Sequence, residues 1–394
     1  MKPFAIARLP RIEFGRGAIA RVPALVRQWG RRALVVTGAR SFAATPHWEA
    51  LQRALAAQGI AWEVCQVDGE PSPELVDGTV ARLADAGIDV VVGIGGGSAL
   101  DAAKAIAGLL RVRRSVMDYL EGVGPELPYD GPAVPFIACP TTAGTGSEAT
   151  KNAVLSAHGA QGFKKSFRDE RLVPEYAVVD PQLLESCPAA LIAANGMDAM
   201  TQLLESYVST RANPMMDALC ESGLVAVRDG LLAWYQGGTA AADGQDRMAY
   251  AALLSGITLA QTGLGSVHGL AAPLGAFFPI PHGVACGTLV AAATALNVRA
   301  MQAREPTNPS LAKYARAAEI LSGRAFPDGQ AARSALVELL RRWTDEMALA
   351  GLGTFGMGEA DIPRVVASSR GSSMKTNPIV LTDAEIEGLL RERL

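Results

Sequence analysis

The stretch Asp89–Ser98, which reads DVVVGIGGGS, decides the fold of this chain. Its first part, Asp89–Ile94, is apolar after the aspartate, and this pattern predicts a β-strand that is buried on both faces. A helix pattern, Ala99–Leu110, follows directly. Glycines between a strand and a helix let a phosphate approach the backbone, and a helix N-terminus attracts its charge. The stretch therefore predicts a phosphate-binding turn, although glycines alone are also compatible with a plain tight turn.

Further strand patterns on both sides of this stretch alternate with helix patterns. The predicted strands are Ala33–Thr37, Ala61–Val67, Phe136–Cys139 and Tyr176–Asp180. The predicted helices between them include His47–Gln58 and Pro73–Ala86. Strands that are apolar throughout and alternate with helices are typical of a parallel sheet covered on both faces. We therefore expect a Rossmann-like α/β fold in this half of the chain.

The strand signal nearly stops after Pro181, and long helix patterns rich in Ala, Leu, Met and Glu take its place. These patterns are Pro188–Ser209, Pro214–Tyr235, Asp246–Thr262, Val284–Met301, Pro309–Leu321 and Gln330–Ala350. A run of helices after a run of alternating strands and helices indicates a separate domain. We predict an α/β domain at residues 1–182 and an all-α domain at residues 183–394.

Composition excludes several classes of protein. The formal charge of the 394 residues is −3, without a long run of Lys or Arg, which argues against a nucleic-acid or polybasic membrane surface. The five cysteines are scattered and form no C-x-x-C, which is typical of reduced thiols. The N-terminus lacks the apolar core of a signal peptide, and no apolar run reaches the roughly 18–20 residues of a membrane span. We expect a cytoplasmic protein without nucleic-acid or membrane partners.

A second loop rich in glycine and hydroxyl groups, Pro140–Glu148 (PTTAGTGSE), follows the strand Phe136–Cys139. Between Thr141 and Ser147 every residue except Ala143 is glycine or carries a hydroxyl group. Open α/β sheets bind ligands beyond the carboxyl ends of their strands. The loop therefore predicts contacts to a sugar and a phosphate, or else a loop that satisfies its own backbone.

A third group of residues has the chemistry of a metal site. Two of the four histidines, His268 and His282, flank one apolar segment, and Asp198 and Gln202 lie four residues apart on one predicted helix. Asp and His side chains can bind a divalent ion with a position left open for a substrate. The residues alone leave open the alternative of two buried, hydrogen-bonded histidines and an aspartate near a helix start.

Together these motifs resemble the iron-containing (group III) alcohol dehydrogenase family. The likeness extends from FGRGA at 14–18 to Asn377–Pro378, and includes GMDAMTQLLESYVS at 196–209 and GLGSVHGLAAPLGAFFPIPHGVA at 263–285. It implies a dehydroquinate synthase-like architecture with a dinucleotide cleft between the two domains. It also implies a homodimeric, metal-dependent NAD(P) alcohol dehydrogenase or aldehyde reductase that acts on a small alcohol or aldehyde.

The resemblance also assigns roles to individual residues. Cofactor contacts are implied for Gly96, Gly97, Ser98, Asp101, Thr141, Thr142, Thr145, Val154 and Lys164. Asn152 falls where the family lines its nicotinamide or substrate pocket. One divalent metal, Fe²⁺ or Zn²⁺, is implied at Asp198, Gln202, His268 and His282.

Two positions depart from the family pattern. Gln202 stands where the family usually has a histidine ligand, and a neutral amide is a poorer ligand than imidazole for transition metals. Ala272 stands where the family often has a histidine that relays protons, so we expect protons to pass through water, the cofactor ribose or another side chain. These departures motivate two alternatives: a maleylacetate reductase or glycerol dehydrogenase-type relative, and an inactive NAD(P)-binding protein that has lost its metal.

Two further expectations concern selectivity. NAD-preferring relatives often carry Asp after the first strand, whereas this chain has Gly38, Arg40 and Ser41, which can accept a 2′-phosphate. We therefore expect NADP to be preferred over NAD. Lys375, in a basic polar stretch, and Lys151, beside Asn152, suggest an anionic substrate if they converge, and otherwise a solvated loop.

Overall fold

A computed structural model of the protein describes residues 3–157 and 162–394, which form two compact units. One unit is Ala7–Cys187; the other is Pro188–Leu394 together with the N-terminal residues up to Ile6. The division after Cys187 falls a few residues beyond the boundary that we expected after residue 182.

Within its described residues, the first unit contains eight strands and four α-helices. The strands are β1 (Arg11–Phe14), β2 (Arg32–Gly38), β3 (Ala61–Val67), β4 (Val90–Gly95), β5 (Phe136–Pro140), β6 (Asn152–Ala157), β7 (Phe163–Arg168) and β8 (Tyr176–Val179). The helices are α1 (Val22–Val26), α2 (Pro46–Ala57), α3 (Pro73–Leu83) and α4 (Gly97–Leu109). Six strands form one parallel sheet in the order β1-β8-β5-β4-β2-β3. The predicted parallel α/β architecture is thereby confirmed.

Both faces of the sheet are buried, as the continuous apolar strands predicted. Alternate residues of β2 point to opposite faces: Leu34 and Val36 join one apolar core, and Ala33 and Val35 join the other. Helices α3 and α4 pack in the first core, whereas α1 and α2 pack in the second. A strand with helices on both sides has no polar face, which is why its sequence shows no alternation.

Three strands were missing from the sequence prediction. Strand β1 lies at an edge of the sheet, where its side chains are mostly exposed, so its sequence RIEF lacks the apolar signal. Strands β6 and β7 form an antiparallel hairpin outside the main sheet, in which Asn152 pairs with Arg168. The hairpin is half-buried and follows the glycine-rich loop, which obscured its pattern.

The second unit is helical, as predicted. Its helices are α5 (Ala189–Val208), α6 (Pro214–Gln236), α7 (Ala241–Thr262), α8 (Ser266–Phe277), α9 (His282–Arg304), α10 (Ser310–Ser322), α11 (Gly329–Glu346), α12 (Ile362–Ser368) and α13 (Asp383–Glu392). Helix α8 was not predicted because its sequence is rich in glycine and contains Pro273. Helix α9 is long and apolar enough to cross a membrane, but 89 % of that apolar window is buried inside the protein, as in the core helix of a helical domain.

Candidate active site

The glycine-rich turn of the first unit joins β4 to α4. Gly96 is the N-cap residue of α4 and makes no side-chain capping bond, so the first N–H groups of the helix are available to a ligand. Because β2, β4 and β5 are parallel neighbours, their carboxyl ends lie along one edge of the sheet. The turn therefore lies beside the loop that follows β5.

The two predicted phosphate-binding segments are in contact at this edge. A Cβ atom at Gly97 would lie 2.7 Å from Thr145 Cγ2, and one at Gly96 would lie 3.3 Å from Thr142 Cγ2. The Thr141 N–H group donates to the Gly95 carbonyl oxygen at 2.9 Å. Close packing of the threonine loop thus leaves no room for a side chain at Gly97 and little room at Gly96, and the structure brings Gly96, Gly97, Thr142 and Thr145 together.

A cavity of about 270 Å³ lies in the same unit. Its lining includes Ser41 and Phe42 after β2, Thr141 after β5, and Gln182 after β8. Ser41 and Thr141 are two of the predicted cofactor residues. Arg40, the residue on which the NADP expectation depends, is exposed next to this cavity wall, and Gly38 ends β2.

A buried lysine holds the threonine loop in place. Lys104 on α4 is fully buried, and its Nζ lies 2.8 Å from the Ser147 carbonyl oxygen, 3.0 Å from Thr150 Oγ1 and 2.7 Å from the Asn152 carbonyl oxygen. Burial lowers the pKa of Lys104 to about 8, against the opposing charges of Asp101 and Glu148. This role of Lys104 was not predicted from the sequence.

Asp101 and Val154 contact each other. The Val154 N–H group donates to Asp101 Oδ2 at 3.1 Å, and Ser147 Oγ donates to Asp101 Oδ1 at 2.5 Å. Both carboxylate oxygens of Asp101 therefore accept hydrogen bonds from the protein, which stabilise the loop and the start of β6. Cofactor contacts by Asp101 and Val154 stay predictions.

Two lysines near the hairpin, Lys164 and Lys151, form ion pairs. Lys164 on β7 pairs with Glu70, which also accepts a hydrogen bond from Ser156. Lys151 Nζ lies 2.5 Å from Glu170 Oε1. The positive charge of Lys151 is therefore already matched by a carboxylate, which weakens its use as an argument for an anionic substrate.

Lys375 and Ser98 are two further residues for which a role was predicted. Lys375 is exposed on the short 3-10 helix Met374–Thr376 of the second unit. Ser98 lies in the first turn of α4, beside Gly97. Their roles toward substrate and phosphate stay predictions.

The second unit gathers the candidate metal ligands at one point. Asp198 lies on α5, His268 on α8, and His282 at the first position of α9. Together with Cys286, one turn further along α9, their ligand atoms lie within 4.8 Å of one another. Asp198 and His268 are buried, whereas His282 is partly exposed. His47 lies elsewhere, on α2, and His158 is outside the described residues.

Glu205 orients the buried histidine. It lies on α5, and its carboxylate accepts hydrogen bonds from His268 Nδ1 at 2.7 Å and from the N–H groups of Gly265 and Val267 at 3.0 and 2.7 Å. A proton on Nδ1 leaves the lone pair of Nε2 for a metal, and Nε2 lies 3.1 Å from Asp198 Oδ1. This role of Glu205 was not predicted from the sequence, although Glu205 belongs to the segment that contains Asp198.

Asp198 is an anion within this cluster. Burial acts to raise the pKa of its carboxyl group, but the imidazoles of His282 and His268 outweigh that effect, so the pKa lies below its ordinary value. A buried carboxylate beside two imidazoles is a donor set that fits a divalent cation. The residues present therefore fit the metal that the resemblance implied.

Gln202 is buried on α5, one turn after Asp198. Its Oε1, the atom that would bind a metal, accepts a hydrogen bond from Ser255 Oγ at 2.6 Å. Ligation by Gln202 stays a prediction.

Comparison with known proteins identifies the family. The model of the family described as iron-containing alcohol dehydrogenase matches residues 10–181, and the model of its C-terminal domain matches residues 192–394. The chain therefore belongs to the iron-containing alcohol dehydrogenase family.

Several relatives match over most of this chain. Alcohol dehydrogenase 4 of Saccharomyces cerevisiae is 37 % identical over 243 residues, which cover 60 % of this chain and 61 % of the yeast protein. The NAD-dependent methanol dehydrogenase of Bacillus methanolicus is 30 % identical over 98 % of both chains. The crystal structure of a 1,3-propanediol oxidoreductase superposes with a TM-score of 0.90 at 27 % identity over the whole length of both chains. That superposition agrees with the two-part α/β and helical architecture.

Proposed function

We propose that this protein is a metal-dependent NAD(P) alcohol dehydrogenase or aldehyde reductase for a small substrate. The observation that carries the proposal is the convergence of Asp198, His268 and His282, with Glu205 fixing the His268 ring. The matching proteins include a methanol dehydrogenase, a lactaldehyde reductase and a 1,3-propanediol oxidoreductase, which supports the same reaction class.

The helical unit activates the substrate oxygen in this proposal. A divalent ion held by Asp198, His268 and His282 supplies Lewis-acid chemistry, which polarises a carbonyl oxygen or lowers the pKa of an alcohol. Asp198 offsets the positive charge of the ion. Glu205 keeps His268 Nε2 directed at Asp198 Oδ1, so that the imidazole needs no reorganisation to act as a ligand.

The α/β unit binds the dinucleotide in this proposal. A nicotinamide cofactor supplies the hydride acceptor or donor. The N–H groups at the start of α4 bind its pyrophosphate, and the threonine loop lines its path. Lys104 keeps that loop in place from below, through bonds to Ser147, Thr150 and Asn152.

For cofactor choice we propose a preference for NADP. Gly38 offers no carboxylate to the ribose, and exposed Arg40 can pair with a 2′-phosphate. Comparison of kcat/KM for NADPH and NADH, in the wild type and in Arg40→Ala, tests this. A clear advantage for NADH in the wild type, as for the NAD-dependent Bacillus relative, would overturn the preference and leave the dehydrogenase proposal intact.

The proposed function is tested by elemental analysis of protein purified without chelator, combined with NADPH and NADH oxidation on a panel of small aldehydes. Neutral and anionic aldehydes are both included, since an anionic substrate was one of the expectations from the sequence. About one metal ion per chain together with turnover supports a working dehydrogenase. Dinucleotide binding without metal or turnover, even after addition of Fe²⁺ or Zn²⁺, would favour the inactive NAD(P)-binding protein instead.

We also propose that the protein is a cytoplasmic homodimer. The five cysteines are all free in the structure, which suits a reducing compartment. Analytical ultracentrifugation measures the oligomeric state, and cell fractionation measures the location.

A further inference from the structure

The metal cluster contains a thiol that the family resemblance does not assign. Cys286 is fully buried on α9, four residues after His282, so both side chains project from one face of that helix. Its Sγ lies 3.6 Å from His268 Nε2 and 3.8 Å from His282 Nε2. The three other ligand atoms surround the same point.

The sulfur–nitrogen distances within the cluster match the edges of a coordination tetrahedron, and the oxygen–nitrogen distances lie on either side of the expected edge. Zinc bonds of about 2.0–2.1 Å to nitrogen or oxygen and about 2.3 Å to sulfur place tetrahedral N and S ligands about 3.6 Å apart, and N and O ligands about 3.3 Å apart. The two S–N distances are 3.6 and 3.8 Å, and Asp198 Oδ1 lies 3.1 Å from His268 Nε2 and 3.9 Å from His282 Nε2. A small movement of the partly exposed His282 side chain toward Asp198 would therefore bring these four protein atoms to the spacing of one coordination shell.

The charge of the ligands and the hydrogen bond of Gln202 both favour Cys286 as the fourth ligand. Gln202 Oε1 is hydrogen-bonded to Ser255, and as an amide it contributes no charge. A thiolate at Cys286 and the carboxylate of Asp198 together offset the two positive charges of a divalent ion, which lowers the cost of burying it.

We propose that Cys286 is a ligand of the metal, together with Asp198, His268 and His282, and that this set selects zinc over iron. This inference rests on the proposed metal site, where the substrate oxygen would be a fifth ligand of the zinc. A metal–sulfur bond forms as the thiol proton is released to solvent, and no electron is transferred. Thiolate is a softer ligand than imidazole or an amide oxygen, and it favours Zn²⁺ over Fe²⁺.

The first test is X-ray absorption spectroscopy at the zinc edge of the zinc-loaded wild-type protein. We expect one sulfur neighbour at about 2.3 Å besides nitrogen and oxygen neighbours at about 2.0–2.1 Å. This measurement needs no variant, so it does not depend on how a substitution folds. Zinc bound with nitrogen and oxygen neighbours only would overturn the inference and leave the proposed function standing.

The second test uses Co²⁺ as a spectroscopic probe. We expect the cobalt-loaded wild type to absorb in the near ultraviolet through sulfur-to-cobalt charge transfer, and Cys286→Ala to bind cobalt more weakly without that band. Cys220→Ala is the matched control, since Cys220 is an equally buried thiol on α6. Loss of the band in Cys220→Ala rather than in Cys286→Ala would overturn the assignment.

Metal selection is measured by competition between Zn²⁺ and Fe²⁺ under anaerobic conditions. The ratio of zinc to iron bound should fall in Cys286→Ala relative to the wild type and to Cys220→Ala. An unchanged ratio would overturn the claim of zinc selection. A wild-type protein that binds neither metal would instead overturn the proposed function itself.

Discussion

The two candidate sites of this protein are built in opposite ways. In the α/β unit, the β4–α4 turn offers backbone N–H groups, and neighbouring segments only need to pack against it, as Thr145 packs against Gly97. In the helical unit, side chains from α5, α8 and α9 lie within 4.8 Å of one another, and the candidate metal site requires all of them. A backbone site is therefore local in sequence, whereas a side-chain site depends on long-range packing. We therefore expect a substitution in one site to leave ligand binding at the other site unchanged.

The largest expected effect is at the metal cluster. His268→Ala should abolish metal binding and lower kcat by at least about a thousandfold, because Lewis-acid stabilisation is worth several kcal/mol. Elemental analysis and steady-state kinetics measure the two quantities. NADPH binding, followed by fluorescence, should stay at the wild-type level. If dinucleotide binding were lost as well, the two sites would not be independent.

The reciprocal change is Gly97→Ala in the α/β unit. The new Cβ would lie 2.7 Å from Thr145 Cγ2, and overpacking of this kind costs about 1–3 kcal/mol; displacement of the threonine loop then lowers dinucleotide affinity roughly 5- to 150-fold. Metal content should not change. Gly78→Ala on α3 is the control, because nothing lies within 4 Å of its Cβ position. Equal losses in both variants would mean that packing against Thr145 is not the cause.

Glu205→Gln tests the support of the metal site without removal of a ligand. The amide keeps the shape of the side chain but loses the charge that holds the His268 ring, so metal affinity should fall about 10- to 100-fold. Titration with zinc against a competing chelator measures it. Glu346→Gln, at an exposed residue of α11, should leave the affinity unchanged. A wild-type affinity in Glu205→Gln would show that Glu205 serves only to cap α8.

The smallest effect is on the pH dependence of stability, through buried Glu148 in the threonine loop. Burial raises the pKa of this carboxyl group to about 7, although a backbone hydrogen bond and Lys104 act to lower it. The folded state then binds a proton that the unfolded chain releases near its ordinary pKa of 4.5. The proton therefore contributes to the free energy of unfolding at pH 5, and this contribution is lost as the pH rises through about 7. The loss is on the order of 2 kcal/mol.

Glu148→Gln should remove this loss of stability. Urea midpoints at pH 5 and pH 7.5 should differ less in the variant than in the wild type, while metal content stays the same. Parallel changes in the two proteins would mean that Glu148 does not titrate in this range.

The contiguous motifs predicted much of this protein. The apolar strand before Gly95–Gly97 and the helix after it determined the sheet and the phosphate-binding turn, because strand, turn and helix are consecutive in the chain. Asp198, His268 and His282 were also predicted as a set, since few other histidines were available and the family resemblance linked them. Family membership itself was predicted and is confirmed.

Tertiary structure alone decided what completes each site. Glu205 enters the metal cluster because α8 begins at its carboxylate, and no local pattern carries that information. The four-residue spacing from His282 already placed Cys286 on the same face of α9, but only the packing of α5 and α8 against α9 brings its thiol to Asp198 and His268. In the sequence, Lys104 is not distinguished from the other residues of α4. Folding buries it under the threonine loop, where only a charged donor satisfies so many carbonyl and hydroxyl oxygens. The sequence determines which functional groups each segment carries. Burial and long-range packing decide which of these groups contact one another and form a site.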